Sequence, residues 1–224
     1  MPPAVDAALA AAARGLALFP LPPEGRVPVP GWQRQCTTDP DRMRAMVAAG
    51  NVGVGCRASD VVGLDLDRHP GLPDGVARFA ALCDRYAAGP DSDGWPDTLT
   101  VVTPSGAGGQ HLYFRANGLP IGSASGDRSP LGPGIDVRGP GRLSGGYLVG
   151  PGSTIAGRPY VIVRDTVIRD LPAWLADLLR PTGGAAHGSS DFVNGAGTWA
   201  GSRGRSARRG QRWSPVEGSS ASGR

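Results

Sequence analysis

The sequence predicts an α+β domain of short strands and a few helices. Short apolar runs bounded by turn residues are typical of strands, and four segments carry the apolar spacing or the start and stop signals of helices. Hydrophobic residues make up 40% of the 224 residues, which is enough for a core in one domain of ordinary size. The 36 glycines and 22 prolines favour short elements, and no internal repeat is visible.

Helices are predicted at residues 4–14, 38–50, 71–88 and 171–179. Gly15 and Gly50 follow the first two, as glycine often does at the end of a helix. Asp39 and Pro40 are typical of a helix start, and Pro181 stops the last helix.

Strands are predicted at residues 16–19, 52–56, 61–67, 99–103, 110–115, 134–138, 147–149 and 160–163. Residues 21–32 are rich in proline, so we expect an extended loop there. The runs 52–56 and 61–67 are separated by a turn-like segment, which predicts a hairpin or two adjacent strands. A glycine-rich loop, residues 104–109, joins two further strands.

The basic charge of the chain belongs to its C-terminal segment. All 23 basic residues are arginines, and residues 183–224 hold six of them against two acids. The preceding residues hold as many acids as arginines. The net charge therefore does not argue that the folded part binds nucleic acid.

The chain has no sequence signal for export or membrane insertion. The longest apolar run near the N-terminus, residues 7–13, is far shorter than the roughly 20 residues of a membrane helix. Cys36, Cys56 and Cys83 show no CxxC spacing and are interpreted as small buried residues rather than zinc ligands. We therefore expect a cytoplasmic protein with no membrane partner.

Three predicted strands carry polar side chains at alternate positions. Asp65 and Asp67 are two residues apart, so both leave one face of a strand while Leu64 and Leu66 leave the other. In the other two strands the alternating polar residues are His111 with Arg115, and Asp136 with Arg138. If these strands share a sheet, one face packs on the core and the other collects three carboxylates, an imidazole and two guanidinium groups.

Such a face suits phosphoryl chemistry. Clustered carboxylates repel one another unless cations compensate, and Mg²⁺ or Mn²⁺ binds through a few carboxylates plus substrate phosphates. Two such ions about 3.5–4 Å apart can clamp the attacking and leaving oxygens of a phosphoryl displacement. The arginine and histidine side chains would balance the charge of a triphosphate. The pattern predicts a nucleotidyl-transfer site.

Each motif also has a simpler explanation when it is taken alone. The Asp-x-Asp pair could be solvated, and His111 could be an ordinary packed or surface histidine. The glycine-rich loop could be a long hairpin turn, and Asp136 could lie on a short bent edge strand. The combination and order of the motifs favour the catalytic interpretation.

In combination these motifs resemble the bifunctional DNA primase/polymerase (prim-pol) domain of the archaeo-eukaryotic primase superfamily, found in plasmid, phage and mobile-element replication proteins. The segments that carry the resemblance are residues 64–69, 103–114, 134–139 and 145–153. The opening segment, residues 13–20 with Arg26 and Trp32, is similar as well, so about residues 5–181 are covered. The resemblance implies an α+β core with an RRM-like mixed or antiparallel catalytic sheet flanked by helices.

The resemblance also implies roles for individual residues. Asp65, Asp67 and Asp136 are expected to hold two divalent ions, Mg²⁺ or Mn²⁺. His111 is expected to contact nucleotide phosphate. Other nucleotide contacts are expected from Ser105, Gly106, Arg138 and Arg68. The implied activity is the template-dependent addition of (d)NTPs on single-stranded or primed DNA.

The sequence departs from the family pattern at two positions. Gly109 stands where a small hydroxyl residue often precedes the histidine by two places, which leaves Ser105 as the nearest hydroxyl in the loop. Arg26 replaces the lysine of the opening segment, in keeping with a chain that lacks lysine. Neither change removes an expected metal ligand. The chain also lacks the cysteine cluster that gives some primases a zinc-binding stem.

Two other functions stay open on the sequence alone. A metal-dependent glycosyltransferase also places Asp-x-Asp after an apolar strand, although it would not need the later histidine and third acid. A catalytically silent DNA-binding module for replication initiation would keep the fold without turnover. A haloacid-dehalogenase-like phosphatase is disfavoured, because Arg68 stands where threonine or valine would follow the second aspartate.

We expect two regions: a catalytic domain at residues 1–181 and a disordered Gly/Ser/Arg-rich tail at residues 182–224. Trp199 and Trp213 lie among arginines and could stack on single-stranded bases, but a solvated linker is favoured. Prim-pol domains often precede a helicase domain, so a separately encoded helicase is an expected partner. A stand-alone protein and a truncated remnant are the alternatives.

Overall fold

The computed structural model of the chain describes residues 3–86 and 94–180. The α-helices in this part are α1 (Pro3–Ala13), α2 (Pro40–Ala49), the single turn α3 (Cys56–Ser59), α4 (Gly75–Tyr86) and α5 (Ala173–Leu179). Two 3₁₀ turns lie at Trp32–Gln35 and Gly126–Arg128. The predicted tail, residues 182–224, lies outside the described residues, as do residues 87–88 of the third predicted helix.

The strands are β1 (Leu18–Leu21), β2 (Asn51–Gly55), β3 (Val61–Leu66), β4 (Thr100–Val102), β5 (Gln110–Arg115), β6 (Ile135–Arg138), β7 (Tyr147–Val149), β8 (Thr154–Ile155), β9 (Arg158–Pro159) and β10 (Val161–Arg164). They form a five-stranded sheet in the order β10-β4-β5-β3-β6, a three-stranded sheet in the order β1-β2-β7, and the hairpin β8-β9. Every strand pair in these sheets is antiparallel. The predicted α+β class is confirmed, and the RRM-like arrangement stays a prediction.

The residues predicted to start or end helices α1 and α2 lie at the ends of these helices in the structure. The carboxylate of Asp39 accepts a hydrogen bond from the Arg42 amide at 2.8 Å, Pro40 opens α2, and Gly50 follows its last residue. After α1, Gly15 adopts the left-handed conformation (φ 88°) that glycine favours at a helix end. These local signals place both helices within a residue or two of the prediction.

The predicted hairpin of residues 52–56 and 61–67 is wrong. The segment between them is the helical turn α3, which ends at Asp60 in the left-handed region (φ 48°) and redirects the chain. Strand β2 pairs with β1 and β7 in the small sheet, whereas β3 pairs with β5 and β6 in the large sheet. Because both edges of each strand are already occupied, β2 and β3 do not pair with each other.

Strand β1 begins two residues later than predicted, and the hairpin β8-β9 was missed. Each strand of that hairpin has only two residues, and Pro159 removes a backbone donor, so no period of alternation marks them in the sequence.

Two apolar clusters pack on opposite faces of the large sheet. On one face, Leu64 and Leu66 of β3 pack with Phe79 of α4 and Leu175 of α5. On the other face, residues such as Tyr113 join the cluster of the small sheet and helices α1 and α2. The large sheet is therefore covered by helices on one side and by the small sheet on the other.

The small sheet approaches one end of β3 closely. Gly63 lies against Leu148 of β7, and a side chain at position 63 would overlap the Leu148 methyl group. Beyond this contact β3 continues to Asp65, which is partly exposed. The face of the large sheet is thus buried at the Val61 end of β3 and open to solvent at the Asp65 end.

No helix in the described part of the chain has the length and apolar character needed to cross a membrane. The three cysteines are free thiols. Burial raises the pKa of Cys56 to about 12, so this thiol packs as a neutral group inside the small-sheet cluster.

Ser153 provides a test of the junction between the small sheet and the segment that leads to β8. Its buried hydroxyl accepts a hydrogen bond from the Val52 amide and donates one to the Val52 carbonyl, each at 2.9 Å. Ser153→Ala leaves that amide without a partner, so we expect the free energy of unfolding to fall by about 1–3 kcal/mol. Urea denaturation measures the change. The control Ser144→Ala removes an exposed hydroxyl; equal stability losses in the two variants would contradict the assignment.

Candidate active site

The pairing register of three strands aligns polar side chains across the large sheet. Asp65 on the central strand β3 is paired directly with His111 on β5 and with Asp136 on β6. Directly paired residues on antiparallel strands project to the same face. The three side chains therefore form one row across neighbouring strands, which we call the acidic row.

Asp67 lies just beyond the end of β3 and is held in place by two hydrogen bonds of its backbone. Its amide donates to the Gly134 carbonyl at 2.8 Å, and its carbonyl accepts from the Gly75 amide at 2.7 Å. Gly75 opens α4 and packs directly on Gly134, where any side chain would overlap the Gly134 carbonyl. Close contact between two glycines thus holds Asp67 between α4 and the turn that precedes β6.

Each acid faces a cationic or imidazole side chain. His111 Nε2 lies 3.4 Å from Asp65 Oδ1, and His69 Nε2 lies 3.7 Å from Asp67 Oδ1. The Arg138 guanidinium donates to Asp136 Oδ2 at 2.9 Å. The site thus alternates negative and positive groups over a few ångströms.

A short segment before β6 supports Asp136. The Gly126 amide donates to Asp136 Oδ1 at 3.1 Å, and Arg138 also donates to the Ser125 hydroxyl at 2.6 Å. Sequence reasoning missed Ser125 and Gly126. Because they lie about ten residues from Asp136 in an irregular segment, no periodic pattern identifies them.

The glycine-rich loop, residues 104–109, leads from β4 into β5 and so ends beside His111. Gly106 and Gly108 have positive φ angles of 77° and 87°, which L side chains rarely adopt. The Ser105 hydroxyl accepts from the Gly109 amide at 3.3 Å. Ser105 therefore holds the loop in shape.

The glycine at position 109 has a packing reason. A Cβ there would lie 2.7 Å from the Thr103 hydroxyl and 3.1 Å from the Leu66 carbonyl. A serine or threonine at position 109 would require the Thr103 side chain or the loop to shift. The hydroxyl groups beside this position come instead from Thr103 and Ser105, which lie 3.4 Å apart.

Arginines line both sides of this loop. Arg68, a predicted nucleotide contact, lies near Gly108 and is paired with Asp74 at 3.0 Å. The guanidinium of Arg158 lies against Gly106 and was missed, because β9 carries no motif. Arg26, noted in the sequence only as a substitution, acts on Asp65 through its charge.

The expectation that Arg115 joins the cationic groups of the site is wrong. Arg115 projects from the same face of β5 as His111 but lies at the opposite end of the strand. There its guanidinium donates to the Arg14 carbonyl at 2.7 Å and to the Ser59 carbonyl at 3.3 Å. Arg115 therefore fastens the end of α1 to the sheet.

The chain matches the sequence model of the bifunctional DNA primase/polymerase N-terminal family, Prim-Pol, over residues 8–174. The chain belongs to the Prim-Pol family. Among curated proteins, no sequence matches the chain significantly. Membership supports a nucleotidyltransferase-type enzyme with DNA primase/polymerase activity and with DNA and nucleotides as substrates. Enzymes of the Prim-Pol family generally use divalent metals.

The electrostatics of the acids in this Prim-Pol domain are strongly coupled. Burial, and then the negative charges of Asp65 and Asp136, raise the pKa of Asp67 to about 6. For Asp65, burial alone would raise the pKa, but the charge and hydrogen bond of His111 outweigh it and lower the pKa, with help from Arg138. Of Asp65 and Asp67, Asp67 therefore keeps its proton to the higher pH.

The donor set of the site fits a hard divalent cation. Within residues 3–86 and 94–180, no three His, Cys, Asp or Glu side chains are already arranged as a metal-binding group. The carboxylates nevertheless supply the oxygen ligands that Mg²⁺ and Mn²⁺ prefer. The charges of Asp65 and Asp136 add to burial in raising the pKa of Asp67, and a bound cation would offset that repulsion.

His111 lies at the buried end of the acidic row. The ring is buried, and its centroid lies 5.4 Å from that of Tyr160. Its Nδ1 atom has no hydrogen-bond partner among the described residues, while Nε2 faces Asp65. A neutral His111 therefore carries its proton on Nε2, directed toward the acids.

The Asp67 pKa gives a stability test on the metal-free protein. Since the native pKa of about 6 exceeds the ordinary 3.8, the native state binds the extra proton and this carboxylate destabilises the fold increasingly between these pH values. Asp67→Asn should therefore raise the free energy of unfolding at about pH 7, by about 1 kcal/mol for this half-exposed side chain, and hardly at about pH 4.

Urea denaturation in chelator at the two pH values measures this difference. Asp177→Asn, which removes an exposed carboxylate from α5, provides the reference for losing one charge. A gain from Asp67→Asn that is equal at both pH values, or larger in acid, would contradict the coupling of Asp67 to its neighbours.

Proposed function

We propose that this Prim-Pol domain is a template-dependent nucleotidyltransferase. It adds (d)NTPs to a 3′-hydroxyl or to an initiating nucleotide on single-stranded or primed DNA, and pyrophosphate leaves. The observation that supports this function best is the acidic row, in which Asp65 lies between Asp136 and His111 on three adjacent strands. All of its residues lie inside the family match at residues 8–174.

In this proposal Asp65, Asp67 and Asp136 hold two divalent ions, Mg²⁺ or Mn²⁺. When bound, such ions lower the pKa of the attacking hydroxyl and stabilise charge on the leaving pyrophosphate. The three carboxylates come from two adjacent strands and the residue after one of them, so the sheet fixes their spacing before any substrate arrives. Asp67 must release its proton to act as a ligand, which ties its affinity for cations to pH.

His111 orients a phosphate in this proposal. Its Nε2–H projects from a buried ring toward the acidic row, where it can donate to a phosphate oxygen. Because β5 and the buried surroundings fix the ring, the donor requires little reorganisation. The glycine-rich loop beside it, with Ser105 and Gly106, lets backbone amides approach the phosphates.

Arg138 has two roles in the proposed site. It orients Asp136 through the 2.9 Å contact, and its positive charge offsets the charge of the nucleotide. Arg68 adds positive charge on the far side of the glycine-rich loop. We further propose that the activity serves replication of a plasmid, phage or other mobile element. A separately encoded helicase and a cytoplasmic location stay predictions.

One assay separates this function from its alternatives. The full-length protein is supplied with a primed DNA template, labelled dNTPs and either Mg²⁺ or Mn²⁺. Incorporation supports nucleotidyl transfer. A mobility shift of the DNA without incorporation favours a catalytically silent initiation module, and metal-dependent cleavage of a nucleotide sugar favours a glycosyltransferase.

Asp65 and Asp136 provide the mutational test. Asp65→Asn or Asp136→Asn keeps the size of each side chain but removes a charged ligand, so we expect incorporation to fall by at least about a thousandfold. Thermal unfolding should stay near that of the unmodified protein. Asp177→Asn on α5 serves as the matched control and should keep full incorporation. A rate within a few-fold of normal in either site variant would remove that residue from the catalytic set.

The division of the chain provides a second test. The family match ends at residue 174, ahead of the predicted tail at residues 182–224. A protein that ends at residue 182 should therefore incorporate dNTPs with an unchanged kcat. If the tail contacts template, the truncation raises KM for DNA, and the increase shrinks at higher salt. Complete loss of incorporation by a truncated protein that still folds would show that the tail belongs to the enzyme.

A further inference from the structure

Arg158 lies beside the glycine-rich loop but comes from a distant part of the chain. It opens β9 in the β8-β9 hairpin and is exposed. Its guanidinium nitrogen Nη1 lies 2.6 Å from the point where a Cβ on Gly106 would stand. A Cβ at position 106 would require the Arg158 side chain to shift.

The hairpin that carries Arg158 is fixed at its base. The Asn51 side chain donates to the Thr154 carbonyl at 2.8 Å and accepts from the Thr154 amide at 2.9 Å. The Glu24 carboxylate accepts from the Thr154 hydroxyl at 2.7 Å and from the Gly157 amide at 3.4 Å. Asn51 is buried, so β2 and the proline-rich loop hold the hairpin from one side.

Arg158 differs from Arg68 and Arg138 in its partners. Arg68 is paired with Asp74 and Arg138 with Asp136. In the part of the chain that the structure describes, no carboxylate or carbonyl is within hydrogen-bond distance of the Arg158 guanidinium. The residues that the structure describes therefore leave its donors to a ligand, and the five N–H groups of a guanidinium suit the oxygens of a phosphate.

The loop connects Arg158 to the acidic row. Gly106 lies next to Arg158, and the same loop runs into β5, where His111 faces Asp65. In the proposed function, the reacting α-phosphate lies at the acids, and the terminal phosphate of the triphosphate extends beyond them. A path along the loop keeps the polyphosphate beside backbone amides and glycines.

We propose that Arg158 binds the terminal phosphate of the incoming nucleoside triphosphate at the far end of the glycine-rich loop. This inference rests on the proposed function and adds a residue that selects triphosphates over shorter nucleotides. Glu24 and Asn51 are positioning residues in this arrangement, since they hold the hairpin rather than touch the nucleotide.

Steady-state incorporation by the full-length protein tests the role. For Arg158→Ala we expect KM for dATP on a primed template to rise by roughly tenfold or more, with kcat changed far less, because the contact is made before the chemical step. Arg158→Lys should restore part of the affinity, since it keeps the charge but loses the guanidinium fork. Arg44→Ala, which removes an exposed arginine from α2, is the control and should leave KM unchanged.

Binding measurements distinguish a contact with the terminal phosphate from a general change in the loop. Calorimetry with dATP, dADP and dAMP in Mg²⁺ should show that the unmodified protein prefers dATP, and that Arg158→Ala loses most of the step between dATP and dADP. If Arg158→Ala lowers the affinity for dATP, dADP and dAMP equally, or for none of them, the proposed role of Arg158 is overturned. If the unmodified protein neither incorporates nor binds any nucleotide, both the proposed function and the role of Arg158 are wrong.

Discussion

Repulsion among three carboxylates at neighbouring backbone positions is the constraint that shapes the rest of this structure. The register of β3 and β6 places Asp65 and Asp136 side by side, and Asp67 follows within two residues. Such a group is stable without a cation only if other charges offset it. Arg138 offsets the charge of Asp136, and the imidazoles of His111 and His69 face Asp65 and Asp67. Burial, and then the charges of Asp65 and Asp136, still raise the pKa of Asp67 to about 6. The fold thus keeps an unfavourable density of negative charge at these three positions.

Gly63 marks the boundary between the buried part and the partly exposed part of the polar face of the large sheet. Gly63 lets Leu148 of the small sheet approach β3, so the two sheets pack tightly up to that point. Two residues further along, the same face carries Asp65, whose side chain is partly exposed and whose desolvation is offset by His111. His111 lies at the boundary, with its ring in the buried part and its Nε2 atom toward the acids.

Much of this site could be predicted because strand geometry is local. A side-chain period of two places Asp65 on the polar face of β3, and the same period places His111 on the polar face of β5 and Asp136 on that of β6. Asp67 lies just beyond β3, where contacts with Gly134 and Gly75 hold its backbone. The order of strands is not local, so the sequence could not show that β3 lies between β5 and β6 or that β2 leaves for another sheet. The family resemblance predicted that these acids and His111 belong to one site, which the period of the strands alone could not.

Arg115 and Arg158 show why a shared face does not define a site. Arg115 obeys the alternation of β5 and still lies at the wrong end of the strand, where it binds the carbonyls of Arg14 and Ser59. Arg158 breaks no rule and belongs to no motif, yet a hairpin fixed by Asn51 brings it to the glycine-rich loop. Position along a strand and long-range loop packing therefore decide which arginines lie near the acids or the glycine-rich loop, and both depend on tertiary contacts. In this domain the strand period predicts the face on which Asp65 and Asp136 lie, whereas the positions of the arginines around them depend on the packing of distant segments.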